Sequence, residues 1–336
     1  MSLRHWLSAA ALVLSALPAS AAVNCPSLAT GDYRVINFRE TDPNWRHHVL
    51  HLDGDTLTVT LWNGETATLT PQAESCAYMT PDMEPMMVSR SGVFIIRSPL
   101  GMAIGLPEMT LPRKALVGTY NMIGASMGDD GLFHTDSGQV QVDSKGQLRL
   151  STCGDGGIGA CGAPGSVFGQ LVANTGGGYD LQFTDGGVDR VFTFKNKNGA
   201  VHVVVSLNQL HVLTPAVARS LPAVGSRDAN WSFSQSANGQ LSGVNFEHRR
   251  VLSADAATQS FVRRANENCV KQTMLVNLGH DGVVGRAAGS GKNCSGQTVN
   301  FNAVAGLPTG LGLTVFGWES SDPTMPRYFG LAVEQP

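Results

Sequence analysis

Leu116-Val-Gly118-Thr-Tyr120 and His211-Val-Leu-Thr-Pro215 bracket a run of short alternating segments, and a similar pair of landmarks recurs on both sides of it. Upstream, the opening is Leu28-Ala-Thr-Gly31-Asp-Tyr33 and the close is Met102-Ala-Ile-Gly-Leu-Pro107. Downstream, they are Leu221-Pro-Ala-Val-Gly225, with Trp231 soon after, and Gly330-Leu-Ala-Val-Glu-Gln-Pro336. Each copy carries an early turn as well: Asp53-Gly54-Asp55 before Leu57, Ser144-Lys-Gly146 before Leu148, and Ala237-Asn-Gly239 before Leu241. Asn-Gly or Asp-Gly between alternating runs is the strongest short-range signal for a β-hairpin. Self-similarity on this scale means that one folding unit is repeated. Boundaries near residues 113 and 219 give three units, 22–113, 114–219 and 220–336, each of ordinary domain size.

Inside the units the pattern has period two. Leu57-Thr-Val-Thr-Leu61, Gly92-Val-Phe-Ile-Ile-Arg97, Gln139-Val-Gln-Val142, Gln147-Leu-Arg-Leu150, Arg190-Val-Phe-Thr-Phe194 and Val201-His-Val-Val-Val205 are rich in β-branched and aromatic residues and read as strands. Roughly seven or eight such strands per unit, joined by close turns, predict an all-β chain of three tandem, diverged antiparallel barrels or sandwiches. The Gly-x-Tyr openings at Gly31 and Gly118 are similar to the Gly-x-Trp strand that opens lipocalin-like barrels, which implies a meander topology. Few short helices are expected. The best helical stretch is Asp255 to Glu267 with Ser253 as N-cap, and a shorter helical turn is expected at Thr80-Pro81, where proline suits the first helical position.

Composition sets limits on function. Of 336 residues, 39 are glycine and only 15% are charged, against about 7% and about 25% in ordinary chains, so the chain is heavily punctuated by turns and weakly charged. A net charge of −3 without any Lys/Arg cluster removes the electrostatic footprint of nucleic-acid binding. Arg4 and His5, the apolar run Trp6 to Leu17 and the sequence Ala19-Ser20-Ala21 read as a signal peptide over residues 1–21, cleaved near Ala21. That apolar run is shorter than the about 20 residues of a spanning helix, and no later stretch qualifies, so no transmembrane segment is expected. Cys25, Cys76, Cys153, Cys161, Cys269 and Cys294 contain no C-x-x-C spacing, which disfavours zinc and thioredoxin-like readings. Paired in sequential order, they give one disulfide per unit.

The motifs that suggest chemistry fail in context. Gly124-Ala-Ser126-Met-Gly128 matches a nucleophile elbow, yet Asp129-Asp130-Gly131 and a further strand-like run follow it where a helix is required, so it reads as a glycine-rich loop. Gly154-Asp-Gly156-Gly-Ile-Gly159 matches a dinucleotide fingerprint but lies between Cys153 and Cys161, as a disulfide-closed loop. Gly289-Ser-Gly291-Lys292 lacks the leading glycine of a phosphate loop, where Arg286 stands, and the trailing hydroxyl, where Asn293 stands. His47 and His51 share a strand face but stand about 13 Å apart at about 3.3 Å per residue, too far to chelate one ion. His48, His134, His202, His211, His248 and His280 form no ligand motif, while Asp53, Asp55, Asp129 and Asp130 sit in turns without EF-hand spacing.

Methionine is the one anomaly. Met79, Met83, Met86 and Met87 crowd a segment broken by Pro81 and Pro85, which reads as neither helix nor strand. Thioethers select Cu(I), and the same flexible side chains also make adaptable apolar surfaces. The sequence thus points to a periplasmic or secreted protein that binds an envelope protein, a glycan or a small apolar ligand without catalysis and without a required cofactor. The alternatives are a copper carrier using those four methionines, and an exported hydrolase whose site is assembled between domains.

Overall fold

A computed structural model describes residues 25, 28–98, 101–154, 159–319 and 327–335. The leader expected over residues 1–21, with its cleavage point near Ala21, lies outside them. Apart from a helix at Pro43–Arg46 and a 3-10 turn at Arg113–Leu116, regular structure among the described residues is β-strand. The strands form three barrel-like sheets, and in each the first strand pairs antiparallel with the last. Tyr33 stands opposite Pro107, Tyr120 opposite Pro215, and Trp231 opposite Val333. The recurring openings and closes are therefore the two sides of each closing seam.

The first sheet has nine strands and spans Gly31 to Pro107. Its two edge strands, Thr66–Thr68 and Thr70–Pro71, are separated in sequence by Leu69 alone, which draws the sheet round on itself. The second, Gly118 to Pro215, is a closed eight-stranded meander. The third, Arg227 to Glu334, is also closed with eight strands and carries a small hairpin, Gly289–Lys292 with Thr298–Phe301, as an excursion. Disulfides join Cys25 to Cys76, Cys153 to Cys161 and Cys269 to Cys294, with Cα separations of 4.8, 4.0 and 4.9 Å. Three disulfides and no free cysteine among the described residues fit an extracytoplasmic protein.

Because successive side chains on a strand face opposite ways, a barrel has an inner and an outer row. In the first two sheets both rows are apolar. Tyr33, Val35, Leu50, Leu52, Met86 and Phe94 fill the first interior. Tyr120, Val140, Leu148, Leu171, Leu181 and Val204 fill the second. The largest cluster lies outside both: Ile36, Ile95 and Ile104 of the first sheet, Phe194, Val203 and Val212 of the second, and Phe233, Val315 and Leu331 of the third meet in one shared core. Strands such as Gly101–Pro107 and Ala200–Ser206 are consequently buried on both faces, which is why they read as unbroken apolar runs.

Two local expectations are corrected. The residues expected to form a helix from Asp255 to Glu267 form a hairpin between the strands Asn245–Asp255 and Ser260–Ala265. The Asp255 carboxylate accepts from the Ala257 amide and the Thr258 hydroxyl, and Gln259 takes φ +50°, so a turn forms where a helix would need uniform backbone angles. The methionine segment, expected to be irregular and to start a helical turn at Thr80-Pro81, makes the strands Ala77–Met79 and Pro85–Val88. The residues between them close a tight turn, with the Thr80 amide donating to Glu84 O at 2.9 Å. Proline is tolerated there because it sits in the turn and at the first position of a strand.

The junction of the second and third barrels leaves no room at Gly199. A Cβ there would stand 2.1 Å from the carbonyl oxygen of Thr309 and 2.9 Å from the Cα of Gly310. Gly199→Ala should therefore force the two backbones apart and lower stability by about 1–3 kcal/mol in chemical denaturation, whereas Gly186→Ala, in an open turn with nothing within 4 Å, should cost only the strain of its φ of +94°.

Candidate functional site

The alternation that serves the shared core turns the third barrel inside out. Phe233, Leu313, Val315, Phe329, Leu331 and Val333 face outward into that core, so their neighbours face in. Those neighbours include Ser232, Thr314, Phe316, Tyr328, Ala332 and Glu334, and with the other strands they line a cavity of about 740 Å³. The second barrel encloses about 20 Å³, bounded by apolar side chains and His202. One barrel is filled and the other is open inside.

Charge collects along one wall of this cavity. Arg249, Arg263 and Arg286 come from three neighbouring strands, Asn245–Asp255, Ser260–Ala265 and Val284–Arg286, joined through Lys271–Val276. Arg249 Nε donates to Asp228 Oδ1 at 2.7 Å in an ion pair. Arg263 Nε and Nη2 both donate to the neutral amide oxygen of Gln272, at 3.2 and 3.0 Å, opposite it on the next strand. Arg286 Nη1 donates to the Asn302 carbonyl, its guanidinium carbon lies 4.4 Å from the Phe301 ring centre, and its Nε meets no acceptor. Among the described residues neither Arg263 nor Arg286 has a carboxylate within ion-pair distance. Phe261, Met274 and Val276 alternate with the arginines on these same neighbouring strands, and Phe316 faces them from the strand Leu313–Trp318 across the barrel. At one end the connector through Arg219 and Pro222 lies against the barrel, Arg219 donating to the carbonyls of Gly282 and Pro308.

Removal from water sets the proton affinities here. Arg263 keeps some surface toward the cavity but is enclosed by protein on every other side, and this desolvation, with Arg249 and Arg286 repelling it, lowers its guanidinium to about 9. It is still charged at neutral pH. Burial likewise lowers Arg286 and Arg219. Tyr328, whose hydroxyl donates to Ala303 O, is pushed up to about 12 by burial, against the pull of Arg286, and remains a neutral phenol.

The residues singled out in the sequence are elsewhere. Met86 and Met87 are adjacent on one strand and enter different cores, Met86 the interior of the first sheet and Met87 the shared core; Met83 is 73% exposed at the turn. The four sulfurs are not brought to one place. Ser126 lies on the strand Gly118–Met127 instead of a loop. Its hydroxyl donates to Asp136 at 2.5 Å, and His211 Nε2 shares that same carboxylate oxygen at 3.0 Å. Gly124 of the motif is a packing glycine, since a Cβ would stand 2.2 Å from His211 Cδ2. Burial acts to raise Asp136, but the bonds from His211 and Ser126 outweigh it and hold the carboxyl low.

The histidines are scattered. His47 packs on Phe192, His48 packs against the exposed, mutually touching indoles of Trp45 and Trp62, and His51 pairs with Asp32 at 2.8 Å. His134 bridges Asp130 and Glu319 at 3.2 and 3.3 Å, and bonding to Asp130 raises its affinity for a proton. Asp55 and Asp129 are turn residues, and Asp53 ends the strand His47–Asp53. Residues 155–158 of the glycine fingerprint lie outside the described residues, and Gly289–Lys292 is a strand of the small hairpin. No helix among the described residues is long and apolar enough to cross a membrane.

The cavity arginines escaped the sequence reading because Arg263 and Arg264 lay inside the expected helix. Arg249-Arg250 and Arg263-Arg264 do carry a signal: in each pair one residue must face in when both flanking strands close a barrel.

No family model and no curated protein matches the chain. Solved structures to which the chain is similar include a protein of unknown function of the DUF3598 family from Nostoc punctiforme, at 12% identity and TM-score 0.23, covering 65% of this chain and 95% of that one. Isotype 1 transferrin binding protein B from serogroup B Neisseria meningitidis is similar at 9% identity and TM-score 0.29 over 90% of this chain and 68% of that one. A mutant of transferrin binding protein B from Haemophilus parasuis gives 9% identity and TM-score 0.27 over 91% and 75%. At these values the likenesses do not carry a function across.

The filled barrel offers a pH test. His202 is buried, packs edge-on to Tyr120 at 4.8 Å, and has a partnerless Nδ1; burial lowers it from 6.5 to about 4. The unfolded chain takes up this proton first as the pH falls, so stability is full above about 6.5 and is lost progressively toward 4. His202→Leu should retain on the order of 3 kcal/mol that the parent loses over that window, read from denaturation midpoints at the two ends.

Proposed function

We propose that this chain is an extracytoplasmic binding protein without catalytic activity, and that its ligand occupies the interior of the third barrel. The observation that carries this is the cavity of about 740 Å³ with convergent polar groups, in the range of small-molecule sites, beside a barrel of the same strand number that is packed shut. A barrel held together only for stability gains from a filled apolar interior. Maintaining several polar side chains around open space costs packing, and a ligand that completes their contacts supplies what is missing.

The absence of a catalytic role is supported by the best nucleophile candidate. Ser126 gives its hydrogen bond to a carboxylate that His211 also binds, so the histidine is placed beside Asp136 and not as the base that would draw the proton from Ser126. The cavity itself presents arginines, a neutral phenol, amides and three carboxylates, two of which, Asp228 and Glu334, are held in ion pairs.

An uncharged solvatochromic naphthalene dye tests the site without presuming the ligand. It should bind the purified chain at one site with a blue-shifted emission. Ala332→Trp, which places an indole in the cavity from an inward position, should weaken binding at least about tenfold, and Val304→Phe should do so if that variant does not fold. Failure of the dye to bind, or binding unaffected by a folded cavity-filling variant, overturns the reading.

A further inference from the structure

We infer that the third barrel selects an organic anion: a carboxylate or comparable single anionic head seated against Arg263 and Arg286, with an aromatic or otherwise apolar body against Phe261 and Phe316. This rests on the reading that the cavity is the ligand site and adds the chemical class of the ligand. Four arginines line the cavity, Arg219, Arg249, Arg263 and Arg286, with three carboxylates, Asp228, Glu247 and Glu334. Asp228 is taken by Arg249 and Glu334 by Arg90. Arg219 is occupied by two backbone carbonyls on the rim. Two guanidiniums therefore face one uncommitted carboxylate, Glu247, which lies near enough to favour their charge but within ion-pair distance of neither.

Each of those guanidiniums is held by neutral acceptors that fix its orientation without cancelling its charge. Gln272 grips Arg263 from the facing strand. The Asn302 carbonyl and the face of Phe301 hold Arg286. Arg286 Nε has no acceptor. Guanidinium groups pre-oriented in this way match the planar, two-oxygen geometry of a carboxylate and lose little freedom in binding it. Partly withdrawn from bulk water, the pair gains from a counter-charge. Carbon surface lies beside and across from them on the same lining. Phe261, Met274 and Val276, interleaved with the arginines, and Phe316 facing them present carbon, so an inorganic ion would leave that surface uncovered, and a wholly apolar ligand would leave the guanidiniums bare.

Naphthoate and naphthamide share a ring and differ in charge, and they separate this inference from the one beneath it. In isothermal titration at low ionic strength, naphthoate should bind at least about tenfold more tightly than naphthamide. Arg263→Gln should remove that advantage while leaving naphthamide binding unchanged; Arg286→Gln replaces it if the first variant does not fold. Arg250→Gln, on the outer face of the same strand pair, should leave both ligands unaffected. If the two ligands bind equally and compete with the neutral dye, the cavity is the ligand site and the selection for anions is overturned. If neither binds and the neutral dye does not bind either, the cavity reading itself falls.

Discussion

The shared apolar core is the constraint on which the rest of the molecule depends. It is built from side chains that a lone barrel would expose to water: Ile95 and Ile104, Val203 and Val212, Val315 and Leu331 all point away from the barrel they belong to. Each is nearly or wholly buried, and full burial of one such side chain contributes about 1.5–3 kcal/mol. Three modest barrels thereby acquire a common interior. Polar contacts then fix their registration. Arg34 pairs with Glu108 at 2.7 Å and reaches Gly176 O of the second barrel, and Thr135 of the second barrel donates to Tyr328 O of the third.

Serving that core has different consequences for the three units. The first two have enough apolar residues to fill both rows, so they bury their strands on two sides. The third places its apolar row outside, and the pleat leaves the other row, with its arginines, amides and hydroxyls, to line the inside. An open polar interior is thus the complement of an apolar exterior on the same strands. Moving the register of one seam strand by a single residue would exchange the two rows, emptying the core and closing the cavity together.

Much of this was legible in the residues. Alternation at Gln139–Val142 and Val201–Val205, and turns at Gly54, Gly146 and Gly239, mark strands and hairpins that the fold contains. Landmarks such as Tyr33 with Pro107 proved to be seams because a barrel must join its ends, and joining imposes similar local chemistry on each copy. The cavity was not legible. Asp255 to Glu267 carries helical spacing of its polar residues, and only the turn chemistry of Asp255 and Thr258 tips it to a hairpin. Methionine clustering gave no guide to proximity, because Met86 and Met87 are neighbours in sequence and on opposite faces in space. Which barrel would be hollow depends on which row faces the neighbours, a tertiary fact that no single strand records.

The last described residue is tied to the first. Gln335 Nε2 donates to Ser75 O at 3.0 Å, and the adjacent Cys76 is bonded to Cys25. The three barrels therefore form a closed ring of neighbours with both ends of the described chain at one corner, and sequence order is only one way of cutting that ring. A short linker across the corner, with a new opening at the exposed Asp185-Gly186-Gly187 turn, would preserve every strand pairing while moving the hollow barrel from the end of the chain to its interior.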